Sequence, residues 1–306
     1  MTDLAAPPVT TTHPLDRLVV DETRQAVEIV RNDERFGGRM RFASVDLHLP
    51  PKAGVLAHQS GMAVARAAEV VVLDPADGST HEIVASLTNG VVATWKRIEG
   101  VQPSIIVNEF SESEAAMRDD PGFQAAMAKR GITDMSLVAI DPWTAGNYGD
   151  PYENNNRIVR GLVFVHGTPG DNQYARPIDG LTIIFDLNAN KVLRIDDERV
   201  LPVPEESAES AEWSRNHMPT DRERTDIKPL DITQPDGPSF QVHGDHLSWQ
   251  KWDLRVGWSS REGLVINTVT YTEGDKVRPV LYRASLAEMT VPYGDPSSTQ
   301  ARKNAF

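Results

Sequence analysis

The chain has 306 residues, 40% of them hydrophobic and 25% charged, a composition typical of globular proteins with two or three domains. Its net charge of −13 argues against nucleic acid and anionic membrane surfaces as partners, because both attract basic proteins. It contains no cysteine, which excludes disulfides, thiolate catalysis and cysteine-ligated metal sites from these residues.

Residues 14–100 are predicted to form a helix followed by a small antiparallel sheet. Apolar residues between positions 15 and 31 follow a helical stripe, and Gly37-Gly38 ends that element. Four strand-like apolar runs come next, at 40–49, 67–73, 82–87 and 91–98. Asn89-Gly90 separates the last two runs and is a strong hairpin signal.

Residues 101–201 are predicted to repeat this α+β architecture, although the two regions share no visible sequence repeat. The stretch 109–130 is rich in Ala, Met and Glu and predicts a helix, with Pro121 starting a second helical segment. Strands are predicted at 137–140, 158–166, 181–187 and 191–195. Asn188-Ala189-Asn190 predicts a turn between the last two.

Residues 202–227 are predicted to be a linker, and residues 228–306 to be rich in strands. The linker contains several prolines and a Glu/Ser cluster. Apolar residues alternate from 247 to 256 with a phase slip at Gln250-Lys251, which indicates a bulge, and further strands are expected at 264–271 and 277–289. These strands form an incomplete sheet. We expect one face to lack partners for Trp249, Trp252, Trp258, Val265, Val269 and Leu281.

Local motifs give little support for several kinds of chemistry. The chain has no Gly-x-Ser-x-Gly elbow and no Gly-rich phosphate loop. His243, Asp245 and His246 are residue types that ligate zinc or copper. Because Gly244-Asp245 lies between two strand-like runs and no third ligand is near, we interpret this segment as a turn and keep a metal site as the alternative.

Three segments near the C-terminal end carry a specific pattern: ITQPDGPSF at 232–240, RPVLYRASLAEM at 278–289 and VPYGDP at 291–296. They closely resemble the entry into the catalytic domain of copper-containing, topaquinone-dependent primary amine oxidases, and they are similar to bacterial histamine, tyramine and phenylethylamine oxidases. The resemblance spans about residues 14–306 and is most specific from 228 to 296.

This resemblance implies two small cystatin-like α+β domains, followed by the first strands of a β-sandwich catalytic domain. The four predicted regions are then 14–100, 101–201, the linker 202–227 and the start of the catalytic domain at 228–306. In the family, an aspartate general base, the quinone-forming tyrosine and three copper-binding histidines follow further along the chain. We therefore expect the front half of an enzyme, with copper and topaquinone held by the complete protein and no catalytic or metal-binding residue in this segment.

The resemblance also assigns substrate-channel positions to Phe110, Trp143, Tyr174 and Ala305. The motifs that carry this assignment are DPW at 141–143 and YARPIDG at 174–180, and Ala305 matches the gate position two residues before the base. By residue type alone, Trp143 and Tyr174 would be core aromatics of a small sheet. An aromatic wall suits a substrate with an apolar body and an ammonium end.

The segment TAGNYG at 144–149 is similar to the family's cofactor-forming pattern, in which an acidic residue follows the tyrosine. Gly149 replaces that acid, and no His-x-His occurs in the chain to provide copper. We interpret Tyr148 as part of a Gly-rich turn.

The function implied is oxidative deamination of a primary amine by O₂, with an aromatic monoamine as the expected substrate. The segment alone is expected to be inactive, and the complete enzyme is expected to be a homodimer. The alternative is a non-catalytic fragment or an interaction module. No apolar run approaches the ~20 residues of a membrane-spanning helix, which predicts a cytoplasmic protein without membrane contacts.

Overall fold

The computed structural model describes residues 12–146, 148–153, 157–167, 172–203, 224–287, 289–297, 299–300 and 304–305. They belong to two compact units, the first made of Met1–Pro103 and Asp231–Met289, the second of Ser104–Leu230 and Thr290–Phe306. Both units contain helices and antiparallel sheets, so the predicted α+β class is confirmed. Most of the predicted linker lies outside the described residues. None of the described helices is long and apolar enough to cross a membrane.

The first unit begins with helix α1 and a four-stranded antiparallel sheet in the order β1-β2-β3-β4. The elements are α1 (Val20–Arg31), β1 (Arg41–Leu47), α2 (Lys52–Ala57), β2 (Ala67–Asp74), β3 (Ser79–Ser86) and β4 (Val91–Ile98). The helix starts later than residue 15 because Glu22 Oε2 accepts a hydrogen bond from the Val19 amide at 3.0 Å, which fixes the first turn. Ala26 and Val30 of α1 are fully buried against β2 and β3. The hairpin at Asn89-Gly90 is confirmed, whereas helix α2 was not predicted.

The second unit repeats this arrangement with two helices on a sheet in the order β5-β6-β7-β8. The elements are α3 (Val107–Asp119), α4 (Pro121–Ala128), β5 (Val138–Thr144), β6 (Ile158–Val165), β7 (Pro177–Asp186) and β8 (Lys191–Asp197). Pro121 opens α4 as predicted, and Asp120 Oδ1 caps it by accepting from the Phe123 amide at 2.9 Å. Gly161 of β6 lies under α3, where a Cβ atom would approach Met117 Sδ to 2.7 Å and Ile140 Cγ2 to 2.9 Å.

A glutamate–arginine pair, partly buried in the first and fully buried in the second, joins the first helix to the second strand in both α+β domains. Glu22 in α1 accepts from Arg66 Nε at 2.8 Å and Nη2 at 2.9 Å. Glu109 in α3 accepts from Arg157 Nε at 3.1 Å and Nη2 at 2.9 Å, with both side chains 4% exposed. Each glutamate is the third residue of its helix, and each arginine directly precedes its strand. The repeat of architecture therefore includes a repeated polar contact.

The backbone hydrogen bonds of the two arginines repeat as well. The Arg66 carbonyl accepts from the Leu87 amide at 3.0 Å, and the Arg157 carbonyl accepts from the Leu187 amide at 2.8 Å. Leu87 and Leu187 each follow the third strand of their sheet. Each arginine thus holds the helix N-terminus with its side chain and the end of the third strand with its backbone.

Residues 240–285 form a five-stranded antiparallel sheet in the order β13-β12-β11-β10-β9. The strands are β9 (Phe240–His243), β10 (His246–Trp249), β11 (Trp252–Ser259), β12 (Gly263–Glu273) and β13 (Lys276–Ser285). The predicted bulge at Gln250-Lys251 is wrong: these residues form the turn between β10 and β11, and Gln250 has a φ of 55°. A tight turn interrupts the alternation of apolar residues in the same way as a bulge does, so this pattern does not distinguish the two.

One face of this sheet packs against the first α+β domain, and several described apolar side chains of the sheet are exposed. Arg255 Nη1 donates to Asp16 Oδ1 at 2.6 Å, and Ser260 N donates to Asp46 Oδ1 at 2.9 Å. Val265 and Val269 are buried, so the expectation that they lack partners is wrong. The exposed apolar residues include Trp249, Trp252, Trp258 and Leu281, as expected. Alternation showed which residues share a face, but not which face another element covers.

The segment before α1 contains a histidine whose pKa is lowered to about 4, from an ordinary value of 6.5. Partial burial of His13 is the main cause and the nearby Arg255 guanidinium the second. The ring Nδ1 also accepts a hydrogen bond from the Leu15 amide at 3.1 Å, which requires an unprotonated nitrogen. The other titratable groups around His13 are Asp16, His58 and His246.

We expect stability of the first unit to fall as the pH is lowered from 6.5 toward 4. The unfolded chain takes up a proton on His13 in this range and the folded chain does not, so protonation favours unfolding. At pH 5 the loss should be about 1 kcal/mol, after a discount for the half-exposed ring. Urea unfolding at pH 7.5 and 5.0 measures it, with His13→Gln as the control. An equal pH dependence in H13Q would contradict the assignment.

Candidate functional site

Trp143 lies on the face of the β5–β8 sheet opposite α3. Strand alternation places Ala139, Asp141 and Trp143 on this face, while Val138 and Ile140 pack under the helices. Trp143 packs against a small cluster formed by Ala139, Leu162 and Phe164. Its ring also meets the Tyr293 ring edge-to-face, with centroids 6.3 Å apart and planes at 89°.

Tyr174 lies on the same face, in a 3₁₀ turn formed by Gln173–Ala175. Its ring contacts Phe164 edge-to-face, with centroids 5.1 Å apart, and the residue is 60% exposed. Gln173 Nε2 donates to Asp141 Oδ1 at 2.8 Å, which ties the turn to β5. Partial burial and, second, the neighbouring Asp141 carboxylate raise the pKa of Tyr174 above its ordinary value.

Ala305 is connected to this face through the backbone. Strand β14 (Val291–Pro292) pairs with β15 (Asn304–Ala305), with Val291 opposite Ala305. Tyr293, which directly follows β14, contacts Trp143. Thr299 Oγ1 donates to Asp179 Oδ1 at 3.0 Å and accepts from the Gly180 amide at 3.2 Å, which anchors this segment to the start of β7.

A cavity of about 220 Å³ adjoins the same face. Leu162, Phe164 and Pro177 line one side of it, and Asp179 and Asp295 provide carboxylates. The structure thus brings Trp143 and Tyr174 to one face of one sheet, which adjoins a cavity with an apolar wall and two carboxylates, and the backbone of Ala305 pairs with the strand that precedes Tyr293.

Phe110 occupies a different position. It lies on α3, is 42% exposed, and its helix packs on the opposite face of the sheet from Trp143. Its role in a channel stays a prediction. Conversely, sequence reasoning missed Asp141, Phe164 and Tyr293. Period-two alternation along β5 could have indicated Asp141, and the VPYGDP motif contains Tyr293.

Tyr148 lies in the segment whose sequence resembles a cofactor pattern. Its neighbours Gly146 and Gly149 have φ values of 68° and 87°, which agrees with a Gly-rich turn. The Tyr148 amide donates to Glu153 Oε2 at 2.7 Å. Asn147, the other residue of that pattern, lies outside the described residues.

The His243–His246 segment is the turn that the sequence indicated, between β9 and β10. The two histidines face each other across the strands, but His246 Nε2 contacts Asp253 Oδ2 at 2.7 Å and Asp245 binds Arg17 Nε at 2.7 Å. No group of three or more His, Cys, Asp or Glu suited to a metal occurs among the described residues. The described part of the chain therefore does not fit a copper centre.

Comparison with known proteins gives the family. Residues 20–94 match the AGAO-like N2 domain, residues 108–213 match the N3 domain of copper amine oxidases, and residues 241–306 match their enzyme domain. The chain belongs to the copper amine oxidase family. The three matches follow one another along the chain, so the relationship covers both α+β domains and the third sheet.

Individual relatives agree with this family. The chain is 43% identical over 96% of its length to a primary amine oxidase of Arthrobacter sp. (strain P1), and 36% identical over 96% to a histamine oxidase of Arthrobacter globiformis. It spans 44% and 42% of the lengths of these two proteins. Among solved structures, a copper-containing benzylamine oxidase from Hansenula polymorpha matches 96% of the chain with a TM-score of 0.78 at 26% identity. The chain covers 47% of that structure.

Proposed function

We propose that this chain is part of a primary amine oxidase that converts RCH₂NH₂, O₂ and H₂O into an aldehyde, NH₃ and H₂O₂. The observation that carries the proposal is the ordered match of its domains to copper amine oxidases. Copper and a topaquinone would supply the redox chemistry in the complete enzyme. The role that we assign to the described residues is substrate entry and recognition.

Trp143 and Tyr174 would form an aromatic wall of the substrate channel. Both lie on one sheet face and share a neighbour, because Phe164 contacts the Tyr174 ring and belongs to the cluster beneath Trp143. An aromatic amine gains edge-to-face contacts there, and the Asp141 carboxylate beside Tyr174 favours a cationic substrate. We therefore propose an aromatic monoamine as substrate. Relatives described as a histamine oxidase and a benzylamine oxidase support this choice, whereas a 43% identical relative is described as a copper methylamine oxidase.

Amine-dependent O₂ consumption by the protein encoded by the full gene tests this function. Trp143→Ala and Tyr174→Ala should each lower kcat/KM for phenylethylamine by about 1–3 kcal/mol, roughly 5- to 150-fold, through loss of a packed ring. The value for ethylamine should change little. Tyr148→Ala is the matched control, because this exposed tyrosine is outside the proposed wall.

Two outcomes would count against the proposal. Absence of O₂ consumption with every primary amine, in protein shown to hold copper and quinone, would refute the activity. Equal losses for phenylethylamine and ethylamine would refute the role of the wall and leave the activity intact. The homodimer and Phe110 as a channel residue stay predictions, and size-exclusion chromatography of the full protein tests the first.

A further inference from the structure

Three polar side chains lie side by side on the covered face of the β9–β13 sheet. The register places Arg255, Asn267 and Arg283 next to one another on β11, β12 and β13. Arg255 is paired with Asp16, and Arg283 with Glu262, whose pKa falls to about 2 through hydrogen bonds from Arg283 and Ser285. Both arginines are thus neutralised within the protein.

Asn267 differs from its two neighbours. It is only 5% exposed, yet no described residue hydrogen-bonds to its side-chain amide. Gly257, diagonally across the strand pair and opposite Val265, leaves room for this amide, since a Cβ atom there would lie 3.0 Å from Asn267 Nδ2.

The Asn267 amide lines a cavity of about 180 Å³. A cavity of about 150 Å³ is enough to hold a benzene molecule. Leu15, Leu47, Leu49 and Val265 contribute apolar surface to the lining. Its charged residues balance in sign: Arg17, Arg261 and Arg283 against Asp46, Glu69 and Glu262. The cavity therefore favours neither a cation nor an anion.

These features together define the chemistry of an occupant. The Asn267 amide presents a donor and an acceptor, so its complement is a group that offers one of each. The walls suit a ring-sized apolar body. We propose that this cavity binds a small neutral molecule with an apolar ring and a carboxamide head group, held by a paired hydrogen bond to Asn267. The site is independent of the amine oxidation proposed above, because none of its residues belongs to the β5–β8 wall.

Benzamide is the probe, and ligand-observed NMR titration of the 306-residue chain is the measurement. We expect benzamide to bind with a Kd of about 1 mM or tighter. Toluene, which lacks the head group, and the charged analogues benzoate and benzylamine should each bind at least about ten-fold more weakly. Binding of benzylamine as tight as that of benzamide would overturn the neutral-ligand assignment.

Asn267→Leu removes the head-group partner at similar volume. We expect it to weaken benzamide about ten-fold or more, to leave toluene binding equal or tighter, and to melt at the same or a higher temperature. Asn108→Leu, at an exposed position of α3, is the matched control and should change nothing. If N267L fails to fold, Gly257→Ala displaces the amide instead and should weaken benzamide several-fold. Unchanged benzamide affinity in a folded variant of either kind overturns the proposal. So does a lack of binding to the original chain at a benzamide concentration 10-fold above the expected Kd.

Discussion

Replacement of Arg157 by Leu is expected to destabilise the second unit by about 3–5 kcal/mol, the cost of leaving one member of a buried ion pair without its partner. Glu109 is 4% exposed and would keep a charge that neither water nor Arg157 compensates. The same carboxylate accepts from the Ile106 amide at 2.7 Å, so the first turn of α3 would also be affected. Urea unfolding followed by circular dichroism measures the loss.

Two further variants make this experiment specific. Arg24 and Asp21 form a surface pair in which the side chains are 72% and 89% exposed, respectively. Arg24→Leu removes this pair and should lower the free energy of unfolding by less than about 1 kcal/mol. The double variant Glu109→Leu/Arg157→Leu should recover much of the loss, because no unpaired charge remains. A loss in R157L as small as that in R24L would show that the pair is not important for stability.

Gly161→Val should cost about 3 kcal/mol, at the upper end of the usual penalty for overpacking a core. A Cβ atom at this position would lie 2.7 Å from Met117 Sδ and 3.3 Å from Ile183 Cβ, both in side chains that are completely buried. Relief would require α3 to move away from the sheet. Thermal and urea unfolding of the same sample quantify the effect.

Gly54→Ala provides the control for this substitution. Nothing lies within 4 Å of a Cβ atom at Gly54, which is in helix α2. Alanine in a helix should therefore be neutral or stabilise by up to about 1 kcal/mol. If G161V unfolds at the same urea concentration as the original chain, the close approach of α3 to β6 is incorrect.

Helices and strands in which apolar residues recur at a regular spacing were predictable from the sequence. The helices at α1, α3 and α4 and the strands of both α+β domains follow local patterns of apolar residues, and Pro121 and Asn89-Gly90 mark boundaries by their backbone preferences. The short helix α2 has too few residues for a periodic signal. The slip at Gln250 shows the limit of alternation, because a bulge and a two-residue turn disturb it in the same way.

Long-range polar contacts were not predictable in this manner. Glu22 and Arg66 are 44 positions apart, and Glu109 and Arg157 are 48 apart, so no local pattern connects them. Trp143 and Tyr174 could be proposed for one site only through family resemblance. Their shared sheet face depends on Gln173 and Phe164, which lie outside the motifs that carried the resemblance.

The grouping of 231–289 with the N-terminal domain has a consequence for the design of shortened proteins. Domain boundaries drawn along the sequence suggest cuts near residues 100 and 228, which would yield the first α+β domain as a separate product. Such a product would lose Asp245 opposite Arg17 and Arg255 opposite Asp16, and would expose the carboxylate of Asp46 that now receives the Ser260 amide. Expression boundaries for this region should follow contacts in space, with the third sheet retained through covalent linkage or co-expression.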